Sequence, residues 1–313
     1  MRIGIFGSNR QAGKQESIKT LFDTIRRLGG KVWVEAGFYR YLSEQFAYAP
    51  EIESLIESDV FPLDMVISLG GDGTFLRTAA WVGRREIPVL GINTGRLGFL
   101  ADIGENEIVE TLEEVLRGDY LTEERSLLEL QTPLPQDGDN NFALNEIAVL
   151  KRDTASMIAV HTSLNEEFLT SYLADGLLIA TATGSTAYSM SVNGPIIIPQ
   201  SKNIVLSPVA PHSLNVRPLV IPEDYRIRLK VETRNGNFLI SLDGRSAVYP
   251  SESEFLISKA NFCLKIVKRT GQSFYDTLRK KLLWGTDVRE VASGRNNGMT
   301  GFLPATSLRT AKR

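Results

Sequence analysis

The chain has 313 residues, 42% of them hydrophobic and 23% charged, enough to bury one large core or two medium ones. Its 35 basic and 37 acidic residues give a formal net charge of −2, so the global basic surface of a nucleic-acid binder is absent and DNA or RNA is not an expected partner. A single cysteine, Cys263, excludes an internal disulfide, and with only His161 and His212 beside it no metal cluster of nitrogen and sulfur ligands is expected.

Residues 2–7 form an apolar run that reads as a buried strand, too short for a secretory signal. The helical spacing Ile18, Leu21, Phe22, Ile25, Leu28 follows and is stopped by Gly29-Gly30. Residues 31–35 read as a second strand, and a polar helical stretch is expected near residues 50–58. Residues 65–69 then read as a strand, 74–82 as a helix and 87–93 as a further strand. This alternation predicts a Rossmann-like parallel sheet covered by helices, with ligands at the carboxyl ends of the strands. Both Gly70–Thr74 and residues 93–99 fall at such ends. A helix spaced on Ile108, Leu112, Val115 and Leu116 ends at Gly118.

Beyond Gly118 the pattern changes. Residues 133–141 read as a polar surface loop, and the runs 142–150, 157–164, 168–172, 177–182, 204–207, 226–232, 238–242, 254–258 and 262–268 predict a mainly β half. Asn235-Gly236 reads as a hairpin turn between the strands on either side, and Asp243-Gly244-Arg245 as a turn before it reads as a binding element. Cys263, Trp33, Trp81 and Trp284 read as core. Phe274, Leu278 and Leu282, with the basic face Arg279, Lys280, Lys281, predict a last helix. The expected organisation is an α/β domain over 1–120, a β-rich domain over 121–271, a helix at about 272–289 packing back on the first domain, and a loose tail over 292–313. No apolar run reaches membrane-spanning length, so a cytoplasmic protein with no membrane partner is expected.

Leu69-Gly70-Gly71-Asp72-Gly73-Thr74 joins a predicted strand to a predicted helix. Free N–H groups at such a helix start, together with the helix dipole, favour an anion such as phosphate. Asp72 conflicts with that role unless its carboxylate binds metal, accepts a substrate proton or bonds a hydroxyl. Asn145-Glu146 suits the donors and acceptors of a ribose or base, and equally a strand cap. After Ala174-Asp175-Gly176 and a short apolar run, Thr181-Ala182-Thr183-Gly184-Ser185-Thr186-Ala187-Tyr188-Ser189 delivers hydroxyls into a short helix, which suits a sugar, a phosphate or an adenine edge. A hydrolase built on Ser185 or Ser189 lacks the Gly-x-Ser-x-Gly elbow. His161 reads as structural, while His212 could face the same cleft or be structural.

In this order, the glycine–aspartate turn, Asn145-Glu146, Asp175-Gly176, Thr183–Ser189 and Pro211-His212-Ser213-Leu214 resemble the NAD kinase family, from the first strand to about Arg289. The glycine–aspartate turn is shared with phosphofructokinases and with diacylglycerol and sphingosine kinases; the Thr-Gly-Ser-Thr-Ala-Tyr-Ser segment is far more specific. The resemblance implies ATP-dependent phosphorylation of the 2′-hydroxyl of the adenosine ribose of NAD, with Asp72 as general base and Mg²⁺ accompanying ATP. It places Gly70, Gly71, Gly73 and Thr74 on the phosphate path. It implies NAD contacts at Asp72, Gly73, Arg77, Asn145, Glu146, Asp175, Thr186, Ala187, Tyr188, Ser189, Met190, Ser191, Ala210 and Arg245. The family fold is a diacylglycerol kinase/phosphofructokinase-like α/β domain followed by a β-rich domain, with NAD between them, and its members are usually cytoplasmic homodimers or homotetramers. Two positions depart: Ser156 stands where many members carry histidine or arginine, and Leu173 where some carry arginine. Arg77 either supplies positive charge in their place or is a solvated helix residue. The alternatives are a lipid or sugar kinase with the same turn and a non-catalytic nucleotide sensor.

Overall fold

The computed structural model describes residues 1–57, 62–95, 97–131, 140–152 and 156–285. Its first half is a parallel sheet of β1 (Arg2–Gly7), β2 (Lys31–Glu35), β3 (Ser54–Ile56), β4 (Met65–Leu69) and β5 (Val89–Asn93), in the spatial order β5-β4-β1-β2-β3, with the short β6 (Ile103–Gly104) beside β5. β4 and β5 are buried at every position, as expected of parallel strands covered on both faces. Ile3, Ile5, Ile67 and Leu69 pack with Ile18, Leu21 and Ile25 of helix α1 (Gln15–Arg27). The opposite face, with Phe6, Val66 and Val89, packs against Phe75 and Ala79 of helix α3 (Asp72–Val82). Period-two alternation in the strands thus feeds two separate cores.

The helix expected near residues 50–58 is not there. Helix α2 (Ala36–Phe46) directly follows β2, because the Glu35 carboxylate caps it by accepting the N–H groups of Gly37 at 3.0 Å and Phe38 at 2.7 Å. Phe38 and Leu42, four residues apart, fill the core from one face of α2. Residues 54–56 instead pair along the edge of β2 as β3. Helix α4 (Ile108–Arg117) ends at Gly118, whose φ of 89° closes it as the sequence predicts.

The second half adds β7 (Tyr120–Gln131), β8 (Phe142–Ala143), β9 (Glu146–Lys151), β10 (Ile158–Leu164), β11 (Glu167–Ala174), β12 (Gly176–Thr181), β13 (Asn203–Val209), β14 (Leu219–Pro222), β15 (Ile227–Glu232), β16 (Asn237–Leu242), β17 (Arg245–Pro250) and β18 (Ser253–Arg269). It also holds the helices α5 (Tyr188–Ser191) and α6 (Phe274–Leu282). Six of these strands form an antiparallel sheet in the order β14-β13-β12-β9-β16-β17. Its inner residues, among them Ile147, Val149, Leu177 and Ile179, share one core with Val160, Leu229 and Ile257 of β10, β15 and β18. The runs 254–258 and 262–268, expected as two strands, are one 17-residue strand, β18, with an irregularity between Lys259 and Cys263 in its pairing with β7. β18 pairs antiparallel with β15 at one end and, through Ile266 and Val89, parallel with β5 at the other. One strand therefore belongs to both halves.

Asn235-Gly236 is not a hairpin between paired strands. β15 lies in the large sheet and β16 in the six-stranded one, so the turn passes between sheets, with Gly236 at φ 75°. The tight hairpin is Asp243-Gly244: Leu242 pairs with Arg245, and both turn residues have positive φ, 48° and 85°. Trp284, expected in the core, is 57% exposed, and Cys263 is half-buried; Trp33 and Trp81 do pack on the core shared by α3 and the sheet. Most of the 133–141 loop and all of the 292–313 tail lie outside the described residues.

Near the end of β18 the Lys268 ammonium donates to the Asp102 carboxylate, and both groups are buried. Removing one partner of such a pair strands a charge in the interior. Lys268→Met is expected to cost about 3–5 kcal/mol in urea unfolding; a loss below about 1 kcal/mol would mean that water already screens the pair.

Candidate active site

The glycine turn begins where β4 ends. Gly70 sits at φ 152°, and a Cβ there would run into Thr74 and Ser8, so the turn needs glycine at this position. A Cβ on Gly71 or Gly73 would meet nothing within 4 Å, so this side of the turn is open to a ligand. Asp72 is the first residue of α3, where helix N–H groups point outward. Its carboxylate is clasped by the segment after β5: Oδ2 accepts the Phe99 N–H at 3.0 Å, and Oδ1 accepts the N–H groups of Leu100 and Ala101, each at 3.1 Å. Gly98 makes the approach possible, since a Cβ on it would overlap the carboxylate. A carboxylate offers about four acceptor positions. Three are taken, and the fourth, on Oδ2, faces the Lys281 ammonium of α6 at 3.5 Å.

A second aspartate builds the second turn in the same way. Asp243 accepts the N–H groups of Leu144, Asn145 and Glu146 at 2.6, 2.9 and 3.1 Å. Burial pushes the Asp243 carboxyl up, and the three N–H groups pull it back. Thr181 Oγ1 donates to the Leu144 carbonyl at 2.6 Å and accepts the Gly184 N–H at 3.0 Å. Gly184 lies so close to the Asn145 carbonyl that a Cβ would overlap it. The Asn145-Glu146 turn and the Thr181–Ser191 segment are thereby locked together.

Within that segment the hydroxyl protons go largely to the protein itself. Ser185 donates to the Ala182 carbonyl, Thr186 to that of Thr183 and Ser191 to that of Tyr188, while Ser189 pairs with Ser207. The expectation that these hydroxyls point at a ligand changes accordingly: they shape the backbone, leaving lone pairs, main-chain groups and the exposed Tyr188 ring to face outward. In contrast, Asn145 Oδ1 and Glu146 Oε2 are buried with no hydrogen-bond partner. Burial, with Asp243 adding to it, pushes the Glu146 carboxyl up to about 7, against the pull of the Tyr188 N–H.

The remaining predicted residues fall in three places. Asp175, just before β12, pairs with Lys151 at 2.7 Å, and Ala210 follows β13 at φ 44°. Arg77 donates to the Gly7 carbonyl at 3.1 Å and lines a cavity of about 210 Å³ with Phe6, Glu35, Thr74, Thr78 and Trp81. It lies roughly 140° around α3 from Asp72, at 3.6 residues per turn. Arg245 is committed to the protein: its guanidinium donates to the carbonyls of Leu242, Asn140 and Phe142 and lies over the Phe142 ring. His161 bonds Ser171 at 2.6 Å and lies 3.2 Å from Glu232, in keeping with a structural role, while His212 is exposed and donates its N–H to the Leu173 carbonyl. Of the two departures, Ser156 accepts from Asn235 and the Leu173 side chain is 45% exposed.

The two turns stand on one core, since Leu100 of the first and Leu144 of the second pack in the same cluster as Phe75. Sequence reasoning reads Asp243 as part of a turn but not as the group that holds residues 144–146. Its signal was the Asp-Gly hairpin, but nothing local links it to Asn145, 98 residues away.

This combination, a parallel sheet with a glycine–aspartate turn and a β-rich half, fits a phosphotransferase with an alcohol acceptor. The ATP-NAD kinase N-terminal domain family matches residues 13–120, and the ATP-NAD kinase C-terminal domain family matches residues 144–269. The chain belongs to the NAD kinase family. It is 50% identical over 289 residues to an NAD kinase of Bacteroides fragilis, covering 92% of this chain and 100% of that one. Against an NAD kinase of Porphyromonas gingivalis the identity is 46% over 288 residues, covering 92% and 99%. Among solved structures, an Archaeoglobus fulgidus NAD kinase in complex with ATP superposes with a TM-score of 0.71 at 26% identity, covering 90% of this chain and 99% of that one. Yeast NADH kinase complexed with NADH has the same fold, with a TM-score of 0.83 at 24% identity over 92% and 88% of the two chains.

The raised Glu146 carboxyl makes stability depend on pH. Below about pH 4.5 the group is protonated both folded and unfolded; as pH rises from there to about 7, ionisation favours the unfolded chain and stability falls. Glu146→Gln is therefore expected to match the wild type near pH 4.5 and to exceed it by about 3 kcal/mol above pH 7. Urea unfolding at the two pH values checks this, and an equal difference at both would refute it. Gly98→Ala is expected to cost about 2–4 kcal/mol by forcing Asp72 out of its clasp, measured in the same way.

Proposed function

We propose that the protein transfers the γ-phosphoryl group of ATP to the 2′-hydroxyl of the adenosine ribose of NAD⁺, giving NADP⁺ and ADP. The observation that carries this reading is Asp72, a carboxylate at the head of a phosphate-type turn, held by three N–H groups with one acceptor position left. In the reaction the bond from the ribose 2′ oxygen to Pγ forms, the bond from Pγ to the β,γ-bridging oxygen breaks with its electrons leaving on ADP, and the hydroxyl proton passes to Asp72. Gly71 and Gly73 offer main-chain N–H groups along the phosphate path, while Gly70 and Thr74, whose N–H groups donate to the carbonyls of Ile92 and Gly71, shape the turn that carries it.

Asn145 Oδ1 and Glu146 Oε2 support the acceptor assignment. Each buried atom without a partner costs about 1–3 kcal/mol, a cost that the hydroxyl and amino donors of an adenosine would remove. Asp175, Thr186, Ala187, Tyr188, Met190, Ser191 and Ala210 complete the NAD surface, Ser189, fully buried with its hydroxyl on Ser207, supports it from beneath, Gly73 serves both nucleotides, and Arg77 supplies charge toward a diphosphate. Arg245 contributes by holding residues 140–142 rather than by touching NAD.

Among the described residues no group of three or more His, Cys, Asp and Glu could hold a metal ion. Magnesium fits such a site when it arrives on ATP, because it keeps several waters and takes most of its other ligands from phosphate. There it would offset phosphate charge beside Asp72. No helix among the described residues is long and apolar enough to cross a membrane. By the family resemblance alone, we take the protein to be a cytoplasmic homodimer or homotetramer.

Incubation with ATP, Mg²⁺ and NAD⁺, with NADP⁺ read by an NADP-specific dehydrogenase, is expected to show product; none from the wild type would end this reading. Asp72→Asn is expected to lower kcat about 10²–10⁴-fold with little change in KM. A variant keeping a tenth or more of the wild-type kcat would remove the proton-acceptor role.

A further inference from the structure

α6 brings a cation to the reacting group. Ser273 caps the helix by accepting the Asp276 N–H at 3.2 Å, and the Phe274 ring lies 6.2 Å from that of Phe99. Two turns further on, Lys281 lies over the Phe99 ring at 4.4 Å, with its Nζ 3.5 Å from Asp72 Oδ2. The Phe99 N–H bonds that same oxygen. The segment that clasps Asp72 therefore also positions Lys281. Within the basic face Arg279 is spent on Asp276, one turn away, whereas Lys281 turns toward Asp72.

The pair is about one-third exposed, 30% at Lys281 and 31% at Asp72, and an ion pair of that kind adds little to folding. Its position has a chemical use instead. The ammonium faces the acceptor position on Oδ2 that a substrate hydroxyl must take. As the hydroxyl takes that position, an incoming triphosphate offers the ammonium a stronger partner nearby, and the flexible stem of lysine, laid along the Phe99 ring, allows the transfer.

We propose that Lys281 is a catalytic residue of the phosphoryl-transfer site: α6 delivers its ammonium to the γ-phosphoryl group of ATP, where it meets the charge spread over the transferring oxygens. In the free protein the same ammonium sits against Asp72; in the reaction it offsets the repulsion between that carboxylate and the phosphates. This assignment rests on the phosphoryl-transfer reading above, and on the placement of Lys281 for the residue concerned.

The test uses the full-length protein with Lys281→Met and Lys281→Arg. Steady-state kinetics with ATP and NAD⁺ varied separately are combined with calorimetric titration of β,γ-methylene ATP and of NAD⁺, and with thermal melting. Lys281→Met is expected to lower kcat/KM for ATP about 100-fold. It should weaken binding of the ATP analogue about five- to tenfold while leaving NAD⁺ binding within about twofold and melting within about 2 °C. Lys281→Arg should recover at least about a tenth of the lost activity. The proposal is overturned if Lys281→Met keeps kcat/KM for ATP within about threefold of the wild type, if its activity rises, as release of a blocking contact would give, or if ATP and NAD⁺ binding fall together with the melting temperature. If the wild type makes no NADP⁺, the analogue titration still decides: weaker binding by Lys281→Met supports the phosphate contact while the acceptor assignment falls, and equal binding overturns the contact as well.

Discussion

A carboxylate that accepts three consecutive backbone N–H groups fixes a turn in one conformation, because each charge-assisted bond constrains a different peptide plane. The chain uses this device twice. Asp72 reaches from the head of α3 to the segment 99–101, and Asp243 reaches from the Asp-Gly hairpin to the segment 144–146. The first aspartate keeps one acceptor position, faced by Lys281; the second, equally half-buried, gives its bonds to the backbone. Two groups of the same kind thus differ in what they still face: an ammonium at Asp72, and only main chain and the neighbouring hairpin at Asp243.

The sheet explains why these turns occur where they do. β4 and β5 are parallel neighbours, so their carboxyl ends lie side by side, and the loops that leave them meet at Asp72 and residues 99–101. β18 is shared between the parallel sheet and the β-rich half, which fixes the two halves against each other. Phe75, Leu100, Phe142 and Leu144 close one core beneath both turns. Glycine is needed where backbone and carboxylate approach too closely for any side chain, at Gly98 beside Asp72 and at Gly184 beside Asn145.

Much of this was legible in the sequence, because local patterns report local structure. Apolar runs of about five residues marked β1, β2, β4 and β5, and the glycine–aspartate turn marked the strand–helix junction between β4 and α3. Where patterning is weaker, the reading failed: α2 buries little beyond Phe38 and Leu42 and depends on its Glu35 cap. Asn235-Gly236 has hairpin composition, yet alternation cannot say which sheet a strand joins, and β15 and β16 joined different ones. The contacts of Asp243 with residues 144–146 and of Lys281 with Asp72 were beyond sequence reasoning, since no short-range signal links positions so far apart in the chain. The density of hydroxyls in the segment suggests a ligand surface, whereas most of their protons stabilise its own turns, which composition does not reveal.

The proposed chemistry requires the clasped Asp72 carboxylate to face the hydroxyl that is phosphorylated. A crystal structure of the protein with NAD⁺ and β,γ-methylene ATP measures this directly. The adenosine 2′ oxygen is expected within about 3 Å of Asp72 Oδ2, with the N–H groups of Phe99, Leu100 and Ala101 still on the carboxylate. An adenosine ribose bound away from Asp72, or an Asp72 released from residues 99–101 in the complex, would contradict it.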